Sequence, residues 1–443
     1  MQAISSTQVF TNGKLQQVAV LFEHGTITDI VAIKDIPDNC PHIDYGNLVI
    51  MPGLVDTHVH INEPGRTDWE GFNSATKAAA AGGITTVIDM PLNCIPVTTT
   101  LDAVKVKKEC LKNQIWVDIG FHGGVIPNNH NELPAMIDAG INSFKAFMID
   151  SGIDEFPASD TATLDKAMAI LAPADATLLV HAELDTSMHE HTVNDLSSYQ
   201  EFLQSRPDAW EVNAIAEIIR LAKKHKCKVH IVHLSSSKAL SLIKQAQIDK
   251  VQITSETCPH YLTLSSETIP DGDGRFKCCP PIRNTDNQNA LWQGLENDTI
   301  DFIVSDHSPC TPALKKLQEH NLWEAWGGIS SLQFGLSLIW SAIQKRGYSI
   351  AHLVKWMCER PAYLVNLEHR KGQIKAGFQA DFVIWNPQKT QVIDKSKILH
   401  KHKLTAYEHH TVAGVVEQTI LAGNIIFNRN QENFTDEPQG KYL

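Results

Sequence analysis

The chain has 443 residues, of which 38 are basic and 50 acidic, and its formal net charge is −12. This length exceeds the usual range of a single domain and predicts one large domain with a smaller one beside it. The acidic balance, with no basic run longer than residues 223–226, argues against nucleic acid or an anionic membrane as a partner. No apolar stretch is long enough to cross a bilayer.

The nine cysteines are scattered along the chain and form no Cys-x-x-Cys pair. An odd, unpatterned set in a chain of this size is typical of reduced thiols rather than of a disulfide framework or a zinc cage. The first residues lack the features of a signal or transit peptide, and the terminal Lys441-Tyr442-Leu443 is not a clear peroxisomal signal. We therefore expect a cytoplasmic protein.

Residues 1–50 favour short strands, because β-rich segments at 8–10 and 17–22 are separated by turn residues at Asn12-Gly13 and at Gly25. From Gly53 onward the pattern changes, and apolar strand-like segments alternate with longer helical ones. The segments that predict strands in this region are 48–60, 85–91, 116–125, 143–148, 177–183, 228–235, 251–262 and 301–309.

Helical patterns lie between these segments, for example at 71–81, which Gly82-Gly83 ends, and at 210–225, where apolar residues recur at helical spacing. Eight strands with intervening helices fit a (β/α)8 TIM barrel, an α/β fold, better than an open sheet. The predicted barrel spans residues 51–364. Active sites in such barrels lie at the carboxyl ends of the strands, so ionisable side chains at those ends are the candidates for a site.

Strand character returns after about residue 365, at 380–385, 415–416 and 419–421. Each end of the chain alone offers few strands for a core. We therefore predict that residues 1–50 and 365–443 together form one small β-sandwich domain. The polar last dozen residues are expected to be loosely ordered.

The first predicted barrel strand ends in His58-Val59-His60. Side chains on a strand alternate between its faces, so His58 and His60 point the same way. Two imidazoles on one side of a strand end can bind one Zn, Co, Ni or Fe ion together. A lone His-x-His could equally be a surface pair, so its interpretation depends on what the other strands carry.

Four further ionisable residues lie in or at the end of other predicted strands, namely Lys145, His181, His233 and Asp306. Taken singly, either histidine is better explained as a hydrogen-bonded core residue, and Asp306 could cap a turn. Lys145 is harder to dismiss, because a lysine in a buried strand is costly unless it is paired. Together with the first two histidines, these residues converge on one mouth of the barrel and predict a metal site.

This layout resembles the amidohydrolase superfamily, and within it the branch of cyclic amidohydrolases that contains dihydroorotases, hydantoinases and allantoinases. The resemblance is to the allantoinase family over nearly the whole chain. The segments that carry it are HVHINEPGRTDWEGF (58–72), MPLNCIP (90–96), SGIDEFP (151–157), ETCPHY (256–261), SDHSPCTP (305–312) and WGGISS (326–331).

The resemblance implies two divalent metal ions, with Zn²⁺ expected and Co²⁺, Mn²⁺ or Fe²⁺ as alternatives. His58, His60 and Asp306 would bind the first ion, and His181 and His233 the second. Lys145 would be N-carboxylated and would bridge the two ions. The chemistry is consistent, because an ammonium group cannot bind a cation, whereas a carbamate made with CO₂ supplies two anionic oxygens. Ions ~3.5–4 Å apart would hold a shared hydroxide at neutral pH.

Within this branch, dihydroorotases place an arginine two residues after the second histidine, where this chain has Asn62. A neutral amide suits a ureide better than a carboxylate. Hydantoinases use a tyrosine shortly after the lysine, and residues 148–152 contain none. The resemblance therefore implies hydrolysis of allantoin to allantoate in purine degradation, with Asp306 as the catalytic base. A hydantoinase, dihydropyrimidinase or dihydroorotase activity is the alternative, and a non-catalytic scaffold is a third possibility.

The resemblance also implies that Asn62, Asn93, Cys279 and Ser308 contact the substrate, a small cyclic ureide. Relatives in this branch are commonly tetramers, which implies a homotetramer. Glu63 and Arg66 are expected to support the site or the fold. Histidines expected beside the ligands or in the core are His122, His260 and His307. Those expected at the surface are His189, His191, His400, His402, His409 and His410.

Overall fold

The computed structural model describes residues 1–186, 192–431, 433–434 and 437–443. Its amino-terminal strands are β1 (Gln2–Thr11), β2 (Lys14–Glu23), β3 (Thr26–Val31), β4 (His42–Asp44) and β5 (Val49–Pro52). Strand β1 pairs antiparallel with β2 and parallel with both β4 and β5. The turn between β1 and β2 is the predicted Asn12-Gly13, and both residues have positive φ, which suits a tight hairpin.

The central region carries short strands that are paired in parallel, as a series of strand–helix units requires. They are β6 (Leu54–Val59), β7 (Ile84–Asp89), β8 (Asp118–Phe121), β9 (Gly123–Gly124), β10 (Ser143–Phe147), β11 (Thr177–His181), β12 (Lys228–Ile231), β13 (Ile253–Thr257) and β14 (Phe302–Ile303). Consecutive strands are neighbours, in one sheet from β6 to β8 and in another from β9 to β14.

The chain after β14 returns to the first of these strands. The backbone N–H of His60 donates to the carbonyl of His307 at 2.8 Å, and Val59 pairs in parallel with His307. The carboxyl end of β6 and the segment after β14 therefore lie side by side. This contact places His58 and His60 next to Asp306.

The predicted single strand 48–60 is wrong, because the chain divides it into β5 and β6 at Gly53. The N–H of Gly53 donates to the carbonyl of Asp381 at 3.0 Å, whereas β6 pairs with β7. A Cβ atom at Gly53 would lie 2.3 Å from Oγ1 of Thr85, so only glycine fits at this crossing. The two halves of the apolar run therefore belong to two different sheets.

The helices are α1 (Phe72–Ala81), α2 (Leu101–Glu109), α3 (Leu133–Asp138), α4 (Thr161–Leu171), α5 (Tyr199–Gln204), α6 (Asp208–His225), α7 (Leu240–Ile248), α8 (Pro259–Thr263), α9 (Thr285–Glu296), α10 (Gly335–Gln344), α11 (Ile350–Val354) and α12 (Arg360–Leu364). Helices α1 and α6 confirm the helices predicted from periodicity. Within the described ranges, none of these helices has the length and apolar character of a membrane span.

The predicted strand 251–262 is correct only in its first half. Strand β13 ends at Thr257, and α8 begins directly after Cys258, with Pro259 at its first position. Proline suits this position because its missing N–H would have no partner inside the helix. The predicted strand 301–309 is likewise shorter, since β14 covers only Phe302–Ile303.

The carboxyl-terminal strands are β15 (Phe382–Val392), β16 (Thr411–Leu421), β17 (Asn424–Asn428) and β18 (Asn433–Phe434). Strand β15 pairs antiparallel with β5, so both ends of the chain share one nine-stranded sheet, as the small number of strands at each end predicted. Ile4, Val20 and Phe382 lie in its small apolar core.

The end of the chain differs from the prediction of a loosely ordered tail. Tyr442 pairs in parallel with Ile119 of β8, and its ring lies 5.2 Å from that of Phe121. The N–H groups of Gly440 and Leu443 donate to the carbonyls of Ile115 and Ile119, each at 2.9 Å. The polar composition was misleading, because backbone hydrogen bonds and the packing of Tyr442 together hold this segment.

Candidate metal centre

His58, His60 and Asp306 form a buried group at the carboxyl ends of the first and last parallel strands. One carboxylate oxygen of Asp306 lies 3.3 Å from Nε2 of His58 and 3.7 Å from Nε2 of His60. One atom from each residue lies within 4.8 Å of the others, close enough to hold a metal ion. Cys258 and His260 form a second such group with the same aspartate.

Glu256 on β13 orients His58, a contact that the sequence did not reveal. One oxygen of Glu256 lies 2.5 Å from Nδ1 of His58, and the other lies 3.0 Å from Nε2 of His230. A proton on Nδ1 of His58 therefore points at Glu256, and Nε2 keeps its lone pair on the side of Asp306. Metal-binding histidines are commonly oriented by a carboxylate in this way. The available signal was an acidic residue inside a buried strand.

Burial sets the charge of these groups. It lowers the pKa of both His58 and His60, and the nearby Lys145 lowers each further. Both imidazoles are therefore neutral near pH 7, which is the form that binds a metal. Burial also raises the pKa of Asp306, although Lys145 opposes that effect.

His181 and His233 form a second pair of facing imidazoles. Nδ1 of His181, at the end of β11, lies 3.1 Å from Nε2 of His233. Nε2 of His181 lies 2.7 Å from Glu183, so a proton there leaves Nδ1 free on the side of His233. The sequence analysis missed Glu183, although its spacing of two residues from His181 was a usable signal.

Lys145 lies on β10, completely buried. Among the residues that the structure describes, its Nζ atom has no hydrogen-bond partner. Burial lowers the pKa of its ammonium group, while Asp306 and Glu256 act in the opposite direction. An unpartnered buried amine is costly, so this position suits a lysine that is chemically modified or that binds a further group.

A cavity of about 370 Å³ joins the two histidine clusters. The predicted residues that line it are His60, Asn93, Lys145, His181, His233, Cys279, Asp306 and Ser308. Asn62 does not belong to this lining. It is buried in a turn with φ of 66° and donates to the carbonyl of Pro309 at 3.1 Å, so its amide supports the loop.

Segment 323–328 lines one wall of this cavity, and two lysines support it. Nζ of Lys277 donates to the carbonyl of Trp323 at 3.0 Å, and Nζ of Lys315 donates to that of Trp326 at 2.9 Å. The Trp326 ring packs edge-on against Trp69, with centroids 4.7 Å apart. No local pattern indicated this wall, because its partners come from distant segments.

The prediction that His400 lies at the surface is wrong. Its ring is buried 5.2 Å from that of His307, and burial lowers its pKa to about 3. The reason is that the following residue, Lys401, donates its backbone N–H to Glu70 at 3.0 Å and holds the segment against α1.

The other histidines lie largely where they were expected. His122, His260 and His307 are buried, and His122 bonds to Ser143 and to the carbonyl of Thr57. His409 and His410 are exposed, whereas His402 is half-buried against the carbonyl of Asp68. His189 and His191 lie outside the described residues.

Glu63 and Arg66 make structural contacts. Glu63 accepts a hydrogen bond from the backbone N–H of Phe72 at 2.8 Å, at the start of α1. Arg66 forms an ion pair with Glu155 at 3.1 Å.

A model of the amidohydrolase family matches residues 49–426, a range that contains both histidine clusters and the cavity. The chain belongs to this family. It is 45% identical to an allantoinase of Streptomyces avermitilis, over 99% of this chain and 98% of that protein. It is 40% identical to an allantoinase of Saccharomyces cerevisiae, over 100% of this chain and 98% of that protein.

The solved structure of an L-hydantoinase (dihydropyrimidinase) from Arthrobacter aurescens superimposes with a TM-score of 0.92. It is 28% identical in sequence and covers 99% of this chain and 98% of the other. The architecture described above is therefore shared with that hydantoinase over nearly the whole of both chains.

Proposed function

We propose that this amidohydrolase opens the cyclic amide of allantoin to give allantoate. The substrate assignment is supported by full-length similarity to proteins named allantoinase at 40–45% identity. The observation that carries the chemistry is the buried group of His58, His60 and Asp306 beside a cavity of small-molecule size. Such a group can hold a cation next to a bound ring amide.

We propose that the parallel strands close into a (β/α)8 barrel spanning 51–364 and that 1–50 with 365–443 form a small β-sandwich. The hydrogen bond from His60 to His307 supports closure between the first and last strands. A second hydrogen bond runs from the N–H of Val125 to the carbonyl of Lys145 at 2.8 Å. It joins the chain segment that contains β8 and β9 to β10, and so supports a continuous ring of strands between the two sheets.

We propose two divalent ions, with Zn²⁺ as the first choice and Co²⁺, Mn²⁺ or Fe²⁺ as alternatives. The first would be held by His58, His60 and Asp306, the second by His181 and His233, with carboxylated Lys145 between them. The residues fit this arrangement, because Nε2 of His58 and Nζ of Lys145 are buried without a hydrogen-bond partner in the described chain. The lowered pKa of Lys145 favours the neutral amine, which is the form that reacts with CO₂.

The mechanism assigns each proton movement to Asp306. When bound, the ions would polarise the ring carbonyl and lower the pKa of the attacking water. Asp306 accepts the proton of that water and delivers it to the ring nitrogen that leaves. The amide nitrogen of Asn93 lies 3.4 Å from Nδ1 of His60. From this position Asn93 would help to orient the substrate ring beside the first ion.

A hydantoinase or dihydropyrimidinase activity is the second candidate, and the similarity to the Arthrobacter structure is the observation that favours it. A dihydroorotase is disfavoured because Asn62 stands where that family has an arginine. A non-catalytic scaffold is disfavoured because all six proposed ligand positions carry suitable side chains.

The deciding experiment is hydrolysis by protein reconstituted with zinc and bicarbonate, with allantoin, hydantoin and dihydroorotate assayed in parallel. We expect fast turnover of allantoin. Preferred turnover of another ring would overturn the substrate but leave the metal chemistry in place. Bound metal without turnover of any of the three would favour the scaffold.

We also propose a cytoplasmic homotetramer. All nine cysteines are free thiols, which agrees with a reducing compartment. Light scattering during gel filtration would measure the oligomer directly, and a monomeric mass would contradict the tetramer.

A further inference from the structure

Arg206 lies between α5 and α6 and lines the cavity together with the candidate metal ligands. Its Nη1 atom donates to Glu183 at 2.7 Å, and its guanidinium carbon lies 5.9 Å from the ring centre of Trp210. Only 21% of its side chain is exposed. Glu183 and Trp210 therefore hold the positively charged guanidinium of Arg206 at the cavity wall.

The same carboxylate oxygen of Glu183 also contacts His181 at 2.7 Å. Arg206 is thus separated from the second histidine pair by a single carboxylate. A small substrate whose ring lies at the histidines can reach it within a cavity of about 370 Å³.

The guanidinium keeps unused donors. Among the described residues, the side chain of Arg206 bonds only to Glu183, and that bond uses Nη1. The N–H groups on Nε and Nη2 are left for a ligand. Arginine presents its donors in a rigid planar fork that matches a carbonyl or carboxylate.

The other cations on this wall are already committed. Lys277 donates to the carbonyl of Trp323, and Lys145 belongs to the proposed metal centre. The remaining wall combines apolar residues such as Leu92, Phe147 and Trp326 with polar ones that carry no cation, such as Asp150 and Glu324. Arg206 is therefore the cationic donor of the described lining that is available to a polar arm of the substrate.

We infer that Arg206 binds the ureido side chain of the substrate by donating hydrogen bonds to its carbonyl oxygen. This inference rests on the proposed function, since allantoin is a hydantoin ring that carries a ureido group. The ring amide faces Asp306, and the ureido arm extends along the wall toward Arg206. The residue would then select substrates that carry this arm over plain hydantoin.

The test is Arg206→Gln, compared with wild type for allantoin kinetics and for the inhibition constant of hydantoin as a competitor. We expect kcat/KM for allantoin to fall about 10- to 100-fold, because a site built for a polar group loses its donor. The inhibition constant of hydantoin should change less than about 2-fold, because that ring lacks the arm. Arg206→Lys keeps the charge but not the planar fork of donors. Its kcat/KM for allantoin should lie between those of wild type and Arg206→Gln.

Arg220→Gln is the matched control. Arg220 also pairs with a glutamate, Glu217 at 2.7 Å, but it lies on the exposed face of α6 and is not part of the described cavity lining. Its substitution should leave both constants unchanged. Metal content is measured for every variant.

Unchanged allantoin kinetics in Arg206→Gln would overturn the inference. Equal weakening of allantoin and hydantoin, or loss of metal, would overturn it too, since Arg206 would then act only by holding Glu183 and His181. A wild-type protein that does not hydrolyse allantoin would overturn the proposed function and this inference with it.

Discussion

At the scale of single residues, the charge states of the groups in the candidate centre depend on their burial more than on the distances between them. Asp306 lies within 3.7 Å of two imidazole nitrogens, and burial raises its pKa while it lowers the pKa of both histidines. Desolvation thus favours neutral forms throughout this group. A divalent ion would reverse that preference for the carboxylate, because it stabilises the anionic form directly.

Replacing Asp306 with Asn tests its role as the base. The amide keeps the shape and one oxygen, so the fold and much of the bound metal should remain. The rate constant kcat should fall about 10²- to 10⁴-fold, because no carboxylate then moves the proton. Steady-state kinetics with metal analysis measures both quantities. Asp249→Asn, at a surface ion pair with Lys223, is the control, and near-normal turnover by Asp306→Asn would disprove the role.

Replacing Lys145 with Ala tests the proposed bridge. Without the amine no carbamate can form, so the protein should bind fewer than two ions and lose most of its turnover. Elemental analysis of dialysed protein gives the metal content, and wild-type protein prepared without CO₂ should show the same loss. Retention of two ions with normal rates would refute the carbamate.

At the scale of elements, the end of the chain covers the edge of β8 that does not pair with β7. Strand β8 pairs with β7 on one side, and its other side bonds to residues 441 and 443. The N–H of Ile119 donates to the carbonyl of Lys441, and the N–H of Leu443 donates back to the carbonyl of Ile119, both at 2.9 Å. Unprotected edges promote association between sheets.

Deleting residues 438–443 should therefore destabilise the protein and increase its aggregation. The lost packing of Tyr442 and Leu443 should lower the free energy of unfolding by about 2 kcal/mol. Urea denaturation and light scattering provide the two measurements. Lys441→Ala is the control, because only backbone atoms of that residue bond to β8, and a truncated protein as stable as wild type would contradict this account.

At the scale of the whole molecule, Lys371 connects the two sheet systems. Its Nζ donates to Asp118 of β8 at 2.8 Å and to Asp381, directly before β15, at 2.7 Å. All three side chains are buried. Burial raises the pKa of Asp381, and the positive charge of Lys371 opposes this effect. The ion pairs therefore favour the charged forms of these buried side chains.

Lys371→Met should destabilise the protein by about 3–5 kcal/mol, because it leaves two buried carboxylates without their cation. The matched control is Lys389→Met, which removes a half-exposed pair with Glu417 and should cost at most about 1 kcal/mol. Chemical denaturation of both variants gives the comparison. Equal losses of stability in the two variants would show that the ion pairs of Lys371 do not stabilise the contact between the sheets.

The sequence by itself determined the alternation of strands and helices and the six proposed ligand positions. These follow from local rules, because side-chain direction on a strand and the placement of residues at strand ends depend on near neighbours. The roles of those six residues stay a prediction. The sequence also indicated that the two chain ends belong together, since neither could form a core alone.

Tertiary structure alone decided which distant groups meet. Glu256 orients His58, Arg206 reaches the cavity beside Glu183, and Asn62 bonds to Pro309 outside the cavity lining, all through contacts between separate segments. His400 is buried for the same reason, although its surroundings in the sequence are polar. Burial and hydrogen-bond partners depend on the packing of remote elements, and this information is not present in any local pattern of residues.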